Sequence, residues 1–325
     1  MVHEKGEIVK EYLRKYPSIS SKKLAETIIA EVPGLFRDYD AARSAIRYYR
    51  GAQGDKNRKS MDPNGFIPKV IVPPGEPENY EPYLLPADAY PIIVGADAHI
   101  PYHDQDALEI FIERAASLKA KTILLLGDWV DFYQLSKYIK DPRMRDTAEE
   151  IATFREILAV MRNAVPKARI VYKYGNHDER FDNYIMHNAP ALFSVERVHL
   201  DAVLGLKEIG GEIVQNKRVI RAGHLNLIHG HEYRFAISNP VNPARGLYLR
   251  AKKSAVCAHF HQSSDHAEQD ISGKIVNCWS VGCLCGLHPQ YMPLNKWNHG
   301  FAEITMDDDY YNVRNRKIIN YRLLQ

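Results

Sequence analysis

Apolar positions in the first sixty residues recur at helical spacing. Ile8, Val9, Tyr12 and Leu13 predict a helix over 6–16 that stops at Pro17. Ser20 or Ser21 can cap a second helix carrying Leu24, Ile28 and Ile29, which ends near Pro33 and Gly34. Asp38 or Asp40 opens a third, with Ala42, Ile46 and Tyr49 inward and Gly51 at its end. From residue 91 the period changes. Short apolar runs at 92–94, 122–126, 169–174, 225–228, 254–257 and 275–281 read as buried strands. Between the first two, residues 104–119 read as a helix with Leu108, Phe111, Ile112 and Ala115 inward. Between the second and third, Thr147 and Glu150 form a capping-box signature ahead of Ile151, Phe154, Leu158 and Met161. Alternating strands and helices predict an α/β layered fold with a small all-α N-terminal domain.

Proline marks the join. Eight prolines fall between Met61 and Pro91, a density that no helix or central strand tolerates. The expected organisation is a helical module over 1–60, a Pro-rich arm over 61–90 and an α/β domain over 91–325. The net charge of +3 conceals an asymmetry, because residues 1–60 carry 13 Lys/Arg against 8 Asp/Glu while the remainder is slightly acidic. Arg43, Arg47 and Arg50 fall on one face of the third helix, a pattern resembling a helix-turn-helix unit whose recognition helix meets nucleic acid. The plainer alternative is a small bundle with a solvated basic face that serves homo-oligomer assembly. With 45% hydrophobic and 26% charged residues the chain reads as globular. No run approaches 18 apolar residues and the N-terminus lacks a signal-type apolar core, so neither a membrane span nor secretion is expected. A cytoplasmic setting follows. Four clustered cysteines, Cys257, Cys278, Cys283 and Cys285, lack the paired spacing of a zinc site and read as small buried hydrophobes.

Five of the strand runs end directly in metal-ligand residue types. They lead into Asp97-Ala98-His99, Gly127-Asp128-Trp129-Val130-Asp131, Gly175-Asn176-His177-Asp178, His229-Gly230-His231 and His259-Phe260-His261. In open α/β sheets the loops at the strand carboxyl ends converge, so five such loops point at one site. A donor inventory of oxygen and imidazole suits Mn²⁺, Fe or similar ions, with Zn²⁺ or Mg²⁺ as further candidates.

The ordered set D-x-H, G-D-x-x-D, G-N-H-D, H-G-H and H-x-H resembles the calcineurin-like metallophosphoesterase superfamily over roughly residues 91–305. The resemblance implies a β-sandwich flanked by helices and a two-metal site. It assigns Asp97, His99 and His261 to one ion, Asp128 to a bridging position, and Asn176, His229 and His259 to the other. It also makes His177 the catalytic proton donor or transition-state stabiliser, oriented by Asp178. One departure is Ala258, where the family commonly has glycine. Asp131 reads as a holder of a ligand histidine, His231 as a substrate contact or a packed residue, and His103 as a surface residue. Residues 178–223 are expected to carry helices that cap the site, with Arg180, His187, Arg197, His199 and Lys207 as solvated or phosphate-facing groups. Residues 291–300, with Lys296, Trp297 and His299, are expected to wall the cleft.

The function this implies is metal-dependent hydrolysis of phosphodiesters in nucleic acid, with the basic module delivering the strand. The alternative is a phosphatase or cyclic-nucleotide phosphodiesterase acting on small molecules or phosphoproteins. The near-neutral α/β domain offers no evident basic track, which keeps that alternative open.

Overall fold

The computed structural model describes residues 2–51, 73–76, 78, 80–141, 143, 146–233, 241–307 and 310–324, so much of the expected Pro-rich arm (61–72, 77 and 79) lies outside the described residues. The chain divides into two compact units, Met1–Glu78 and Asn79–Gln325.

Among its described residues the first unit holds three helices, α1 (Val2–Lys15), α2 (Ser21–Glu31) and α3 (Tyr39–Tyr49). Ser20 caps α2 by accepting from the Lys23 amide, and Asp38 caps α3 by accepting from Ala41 at 2.8 Å. Val9, Leu13, Leu24, Ala25, Ile28, Ala42 and Ile46 are all fully buried and make the small core. Arg43 and Arg47 are exposed on α3. Arg50 is not available as their companion: half-buried, it donates to Ser21 Oγ at 2.9 Å and to the Ile19 carbonyl, tying the end of α3 to the turn before α2. Helical spacing put Arg50 on the basic face, but the residue lies past the last helical turn, where its guanidinium folds back onto the Ser21 hydroxyl and the Ile19 carbonyl.

The second unit is built on two sheets. The larger has strand order β13-β12-β11-β2-β3-β4-β5, with β2 (Ile92–Gly95), β3 (Thr122–Leu126), β4 (Arg169–Lys173) and β5 (Glu212–Val214) mutually parallel. β11 (His299–Asp307), β12 (Tyr310–Ile319) and β13 (Arg322–Leu323) extend it as an antiparallel wing. The smaller sheet runs β1-β6-β7-β8-β10-β9. Its members are β1 (Tyr83–Leu84), β6 (Ile220–Ala222), β7 (Leu225–Leu227), β8 (Ala255–Cys257), β9 (Ser264–Gln269) and β10 (Ile275–Ser280). Residues 83–84, within the expected arm, are therefore a paired edge strand of this unit, registered on Ile220 and Arg221 of β6.

Alternation explains the layers. In β3, Ile123 and Leu125 face the helices α4 (Gln105–Ser117) and α5 (Thr147–Ala164), where Phe111, Phe154 and Leu158 cover them. Leu124 and Leu126 face the second sheet, together with Val94, Val171, Leu227, Val256 and Ile304. Strands buried on both faces read as continuous apolar runs. A further helix, α8 (Pro243–Ala251), covers the outer side of the smaller sheet through Ala244 and Leu247; α6 (Asp178–Asn188) and α7 (Leu200–Val203) follow β4. The unit is an α/β sandwich of two sheets flanked by helices. No described helix is long and apolar enough to cross a membrane.

One capping assignment differs from expectation. Asp146, not Thr147, caps α5, accepting from the Glu149 amide at 2.9 Å. Glu150 cannot complete a capping box, because it is fully buried and accepts from the Tyr133 amide instead.

Candidate metal centre

All five motif loops leave the carboxyl ends of β2, β3, β4, β7 and β8, and the structure brings their donors together. Asp97, His99 and His261 form one group whose ligand atoms lie within 4.8 Å of one another. Asp128, His229 and His259 form a second within the same limit, and Asp128 also groups with His99 and His177. Asp128 is thus the member common to both sides of the cluster. It is 1% exposed, and Asp97 and His229 are fully buried.

The backbone is bent to make this possible. Asp97 (φ +53°), His99 (+47°), Asp128 (+54°), His259 (+72°) and His261 (+55°) all occupy the left-handed region. Each costs of order 1–3 kcal/mol unless its surroundings impose it. Here they do: Asp97 N donates to Gly127 O at 3.1 Å, His99 N to Asp128 O at 3.0 Å, and His259 N to Asp97 Oδ2 at 2.9 Å. Two glycines allow the close approach. A Cβ on Gly127 (φ +91°) would stand 2.4 Å from His229 Nδ1, and one on Gly175 would stand 2.1 Å from Asp128 Oδ1. Ala258, the departure from the family pattern, is accommodated, its methyl buried between the sheets and its amide donating to His229 O at 2.8 Å.

Side-chain geometry leaves one set of atoms without partners. Each carboxylate accepts a backbone N–H through one oxygen: Asp97 Oδ2 from His259, and Asp128 Oδ1 from His177 at 2.8 Å. The other oxygens turn inward, Asp97 Oδ1 to 3.3 Å from His261 Nε2 and Asp128 Oδ2 to 3.2 Å from His229 Nε2. The histidines are fixed from behind. His229 Nδ1 donates to the Leu126 carbonyl at 2.8 Å and His99 Nδ1 to Asp131 at 2.9 Å, so each ring turns its Nε2 to the cluster. Asp97 Oδ1, Asn176 Oδ1 and His229 Nε2 are buried and make no hydrogen bond. Buried polar atoms of this kind are costly unless something binds them.

Electrostatics point the same way. The ion pairs made by Asp97 and Asp128 are with histidines. Burial opposes their charge, yet the neighbouring imidazoles hold both carboxyls below the usual range. Burial likewise opposes charge on His229 and His261, but Asp128 and Asp97 push them up to about 10. His259 is driven down to about 4 by burial and then by His229. The two carboxylates thus draw positive charge into the buried cluster, and a bound cation would supply it in place of the imidazole protons. The clustered Asp and His groups fit two divalent metals.

The catalytic candidates fall beside the cluster. His177 lies 3.9 Å from Asp128 Oδ2, with Nδ1 against Asp131 at 2.9 Å. Asp178 takes a different position from the one its neighbourhood in sequence suggested. Its carboxylate accepts from Gly175 N at 2.7 Å, Asp128 N at 2.9 Å and the Tyr172 hydroxyl, so it locks two loops together. The group that orients the His177 ring is Asp131. Arg180 adds to it, donating to the Asp131 carbonyl at 2.8 Å and approaching His177 Nε2 at 2.9 Å. His187, Arg197 and Lys207 are exposed, and Lys207 pairs with Glu196. His199 approaches the Phe193 carbonyl, and His231 lies 3.0 Å from Glu179. His103 is partly buried and lines a cavity beside His99, where a surface residue was expected. Cys283 and Cys285 are buried, with Cys285 Sγ 3.7 Å from His261 Nδ1.

Sequence reasoning missed a buried ion pair behind the fourth loop. Lys173, fully buried at the end of β4, reaches Glu232 Oε1 at 2.8 Å, and Glu232 accepts from the His229 and Gly230 amides. The signal was a lysine inside an otherwise apolar strand run.

No protein-family model matches the chain, and no curated protein sequence matches it. Solved structures resemble it loosely. Vps29 from Entamoeba histolytica complexed with zinc aligns with a TM-score of 0.38 at 14% identity, covering 72% of this chain and 95% of that one. A dimetal phosphatase from Danio rerio gives 0.37 at 11% identity (70% and 96%), and the nuclease MPE from Pseudomonas putida 0.30 at 12% (69% and 87%). At such scores the residues of the cluster itself carry the functional reading.

Proposed function

We propose that the protein is a metal-dependent phosphoesterase that hydrolyses phosphodiester bonds in nucleic acid. The observation that carries this reading is the set of donor groups linked through His99 and Asp128, in which Asp97 Oδ1 and His229 Nε2 are buried without a hydrogen bond. Asp97, His99 and His261 would hold one divalent ion, Asn176, His229 and His259 the other, and Asp128 both. Mn²⁺ suits this oxygen and imidazole set, as do Fe, Zn²⁺ and Mg²⁺. When bound, two such ions supply Lewis-acid polarisation of the phosphoryl oxygens and an acidified water.

The chain's own residues supply the rest. His177 is held by Asp131 at the rim of the cluster, where its ring can deliver a proton to the departing oxygen. Arg180 places its guanidinium 2.9 Å from His177 Nε2, so a phosphate oxygen that takes up the guanidinium would free that nitrogen and find a cation beside it. Asp178 keeps the Gly127–Asp128 and Gly175–Asn176 turns in register and excludes slack between the two donor groups. Arg43 and Arg47, exposed on α3, would contact strand phosphates. A phosphatase or cyclic-nucleotide phosphodiesterase would use the same centre, and Arg43 and Arg47 favour the longer polyanion.

The test is Mn²⁺-dependent cleavage of end-labelled single- and double-stranded DNA, with Asp128→Ala as the control. Cleavage that disappears in the control is the expected result. Cleavage retained by Asp128→Ala would refute the centre. A simple phosphodiester hydrolysed without any DNA cleavage would move the substrate to the smaller class.

A further inference from the structure

A cavity of about 620 Å³ opens directly beside His99 and Asp131. That is the size range of sites that take a nucleotide-sized ligand. Tyr102, Tyr133, Tyr291 and Trp297 are among the residues that line it. The Trp297 ring sits 4.1 Å from the ring of His261, and Tyr291 follows 6.3 Å further out, so the aromatic shelf begins at the proposed metal centre. Among the described residues that line the cavity, none is Lys or Arg. Asp141, the carboxylate at its outer side, is already held by Arg143 at 2.7 Å. The described lining therefore offers a second phosphate no cation, but offers a neutral ring one face to stack on and a second aromatic ring inclined 65° to it.

The shelf is also built in advance. Residues 287–297 contain no helix or strand, yet Asn295 donates to the Leu287 and Met292 carbonyls at 2.7 and 2.8 Å and accepts from the Trp297 amide at 2.9 Å. His288 Nδ1 is fixed on the Pro293 carbonyl at 2.9 Å. One asparagine thus closes the loop around itself and holds Trp297 in place. Tyr291 is nonetheless 77% exposed, an aromatic ring held at a cavity mouth with most of its surface in water. Rings pre-ordered and left uncovered bind a stacking partner at low entropic cost.

We propose that this cavity receives the nucleobase attached to the scissile phosphate, stacked on Tyr291 and meeting Trp297 edge to face, since the two rings are inclined by 65°. The proposal rests on the phosphoesterase reading and adds the class of organic group that reading leaves open. The base belongs either to a nucleotide of a single strand or to a free nucleotide; the chemistry of recognition is shared. Stacking of this kind tolerates any base, because every base has a π-face.

The experiment reads binding separately from catalysis. Adenosine and ribose are titrated into the metal-free full chain, following tryptophan emission, with Trp297→Phe identifying which tryptophan reports. Adenosine is expected to quench the emission with an affinity at least about tenfold above that of ribose, and Tyr291→Ala to weaken it by about tenfold. Tyr291 is exposed, so its truncation leaves the fold intact, and circular dichroism checks this. Equal binding of adenosine and ribose, or adenosine binding unchanged in Tyr291→Ala, overturns the base site even in a protein that hydrolyses simple phosphodiesters. Base binding without any metal-dependent hydrolysis overturns the phosphoesterase reading, and with it the scissile phosphate to which the base is tied. Competition on the metal-loaded enzyme then separates the sources. A short oligonucleotide that outcompetes adenosine monophosphate indicates a strand, and equal competition indicates free nucleotide.

Discussion

Lys173→Met tests whether the loop that carries His229 is held by a buried ion pair. Lys173 is fully buried, 2.8 Å from Glu232 Oε1, and its ammonium also donates to the Arg218 carbonyl at 2.8 Å. At that separation the attraction is worth about 6 kcal/mol with an effective dielectric constant of about 20. Removing the lysine also removes its own desolvation cost, so the loss is smaller than the attraction alone. Breaking a buried pair from one side typically costs about 3–5 kcal/mol, because the remaining charge stays buried. Glu232 would keep the amides of His229 and Gly230 and, at 3.7 Å, His231 Nδ1, and Gly230 sits at φ +128°, a conformation open to glycine. All three tryptophans, Trp129, Trp279 and Trp297, lie in the unit 79–325, so urea unfolding followed by tryptophan fluorescence reads this unit alone. The expected result is a loss of about 3–5 kcal/mol with weakened binding of one metal equivalent. Adding Glu232→Gln should recover part of the stability, since it removes the stranded charge. Unchanged unfolding and full metal binding in Lys173→Met would refute the reasoning.

Other perturbations separate the parts of the account. Gly175→Ala puts a Cβ 2.1 Å from Asp128 Oδ1, so metal stoichiometry by elemental analysis should fall while circular dichroism stays native; full occupancy would contradict the packing. Arg43→Ala with Arg47→Ala should weaken DNA retention and flatten its salt dependence, measured by anisotropy. Arg50→Ala should instead lower the melting temperature of the N-terminal unit, since its guanidinium holds Ser21 and the Ile19 carbonyl. Burial lifts the Glu150 carboxyl to about 7, above its ordinary 4.5, so ionising it opposes folding. Stability of the second unit should therefore fall as pH rises from about 4.5 to 7, by up to about 3 kcal/mol. Glu150→Gln should remove that slope, and an identical slope in the variant would refute it.

The site was legible because its signal was redundant. Five apolar runs each end in Asp, Asn or His, and strands buried on both faces leave no doubt about where those ends fall. β3 and β4 emerged within a residue of expectation for that reason. β9 and β12 were invisible because they are edge or wing strands of mostly polar residues, Ser-Asp-His-Ala-Glu-Gln and Tyr-Tyr-Asn-Val-Arg-Asn-Arg-Lys-Ile-Ile, with few buried positions to set a period. β1, β5, β6 and β13 have two or three residues each and, unlike the equally short β7 and β8, lead into no ligand motif that marks them. Around the centre, side-chain partners were harder to read than loops. Asp178 follows His177 in the chain, yet helix α6 turns its carboxylate back toward the Gly175 and Asp128 amides, and the histidine is oriented by Asp131 from another loop. The Asp178–Asp128 and His177–Asp131 contacts join segments 50 and 46 residues apart, and nothing local encodes them.

The central claim is that Asp97, His99, Asp128, Asn176, His229, His259 and His261 hold two divalent ions that the reaction requires. Titrating Mn²⁺ into chelator-treated protein, while measuring bound metal and hydrolysis of a simple phosphodiester on the same samples, tests it most directly. The account predicts saturation at two equivalents, with hydrolysis rising as the second binds, and loss of both in Asp128→Ala. Hydrolysis in the metal-free protein, or saturation at two equivalents in Asp128→Ala with turnover intact, would contradict it.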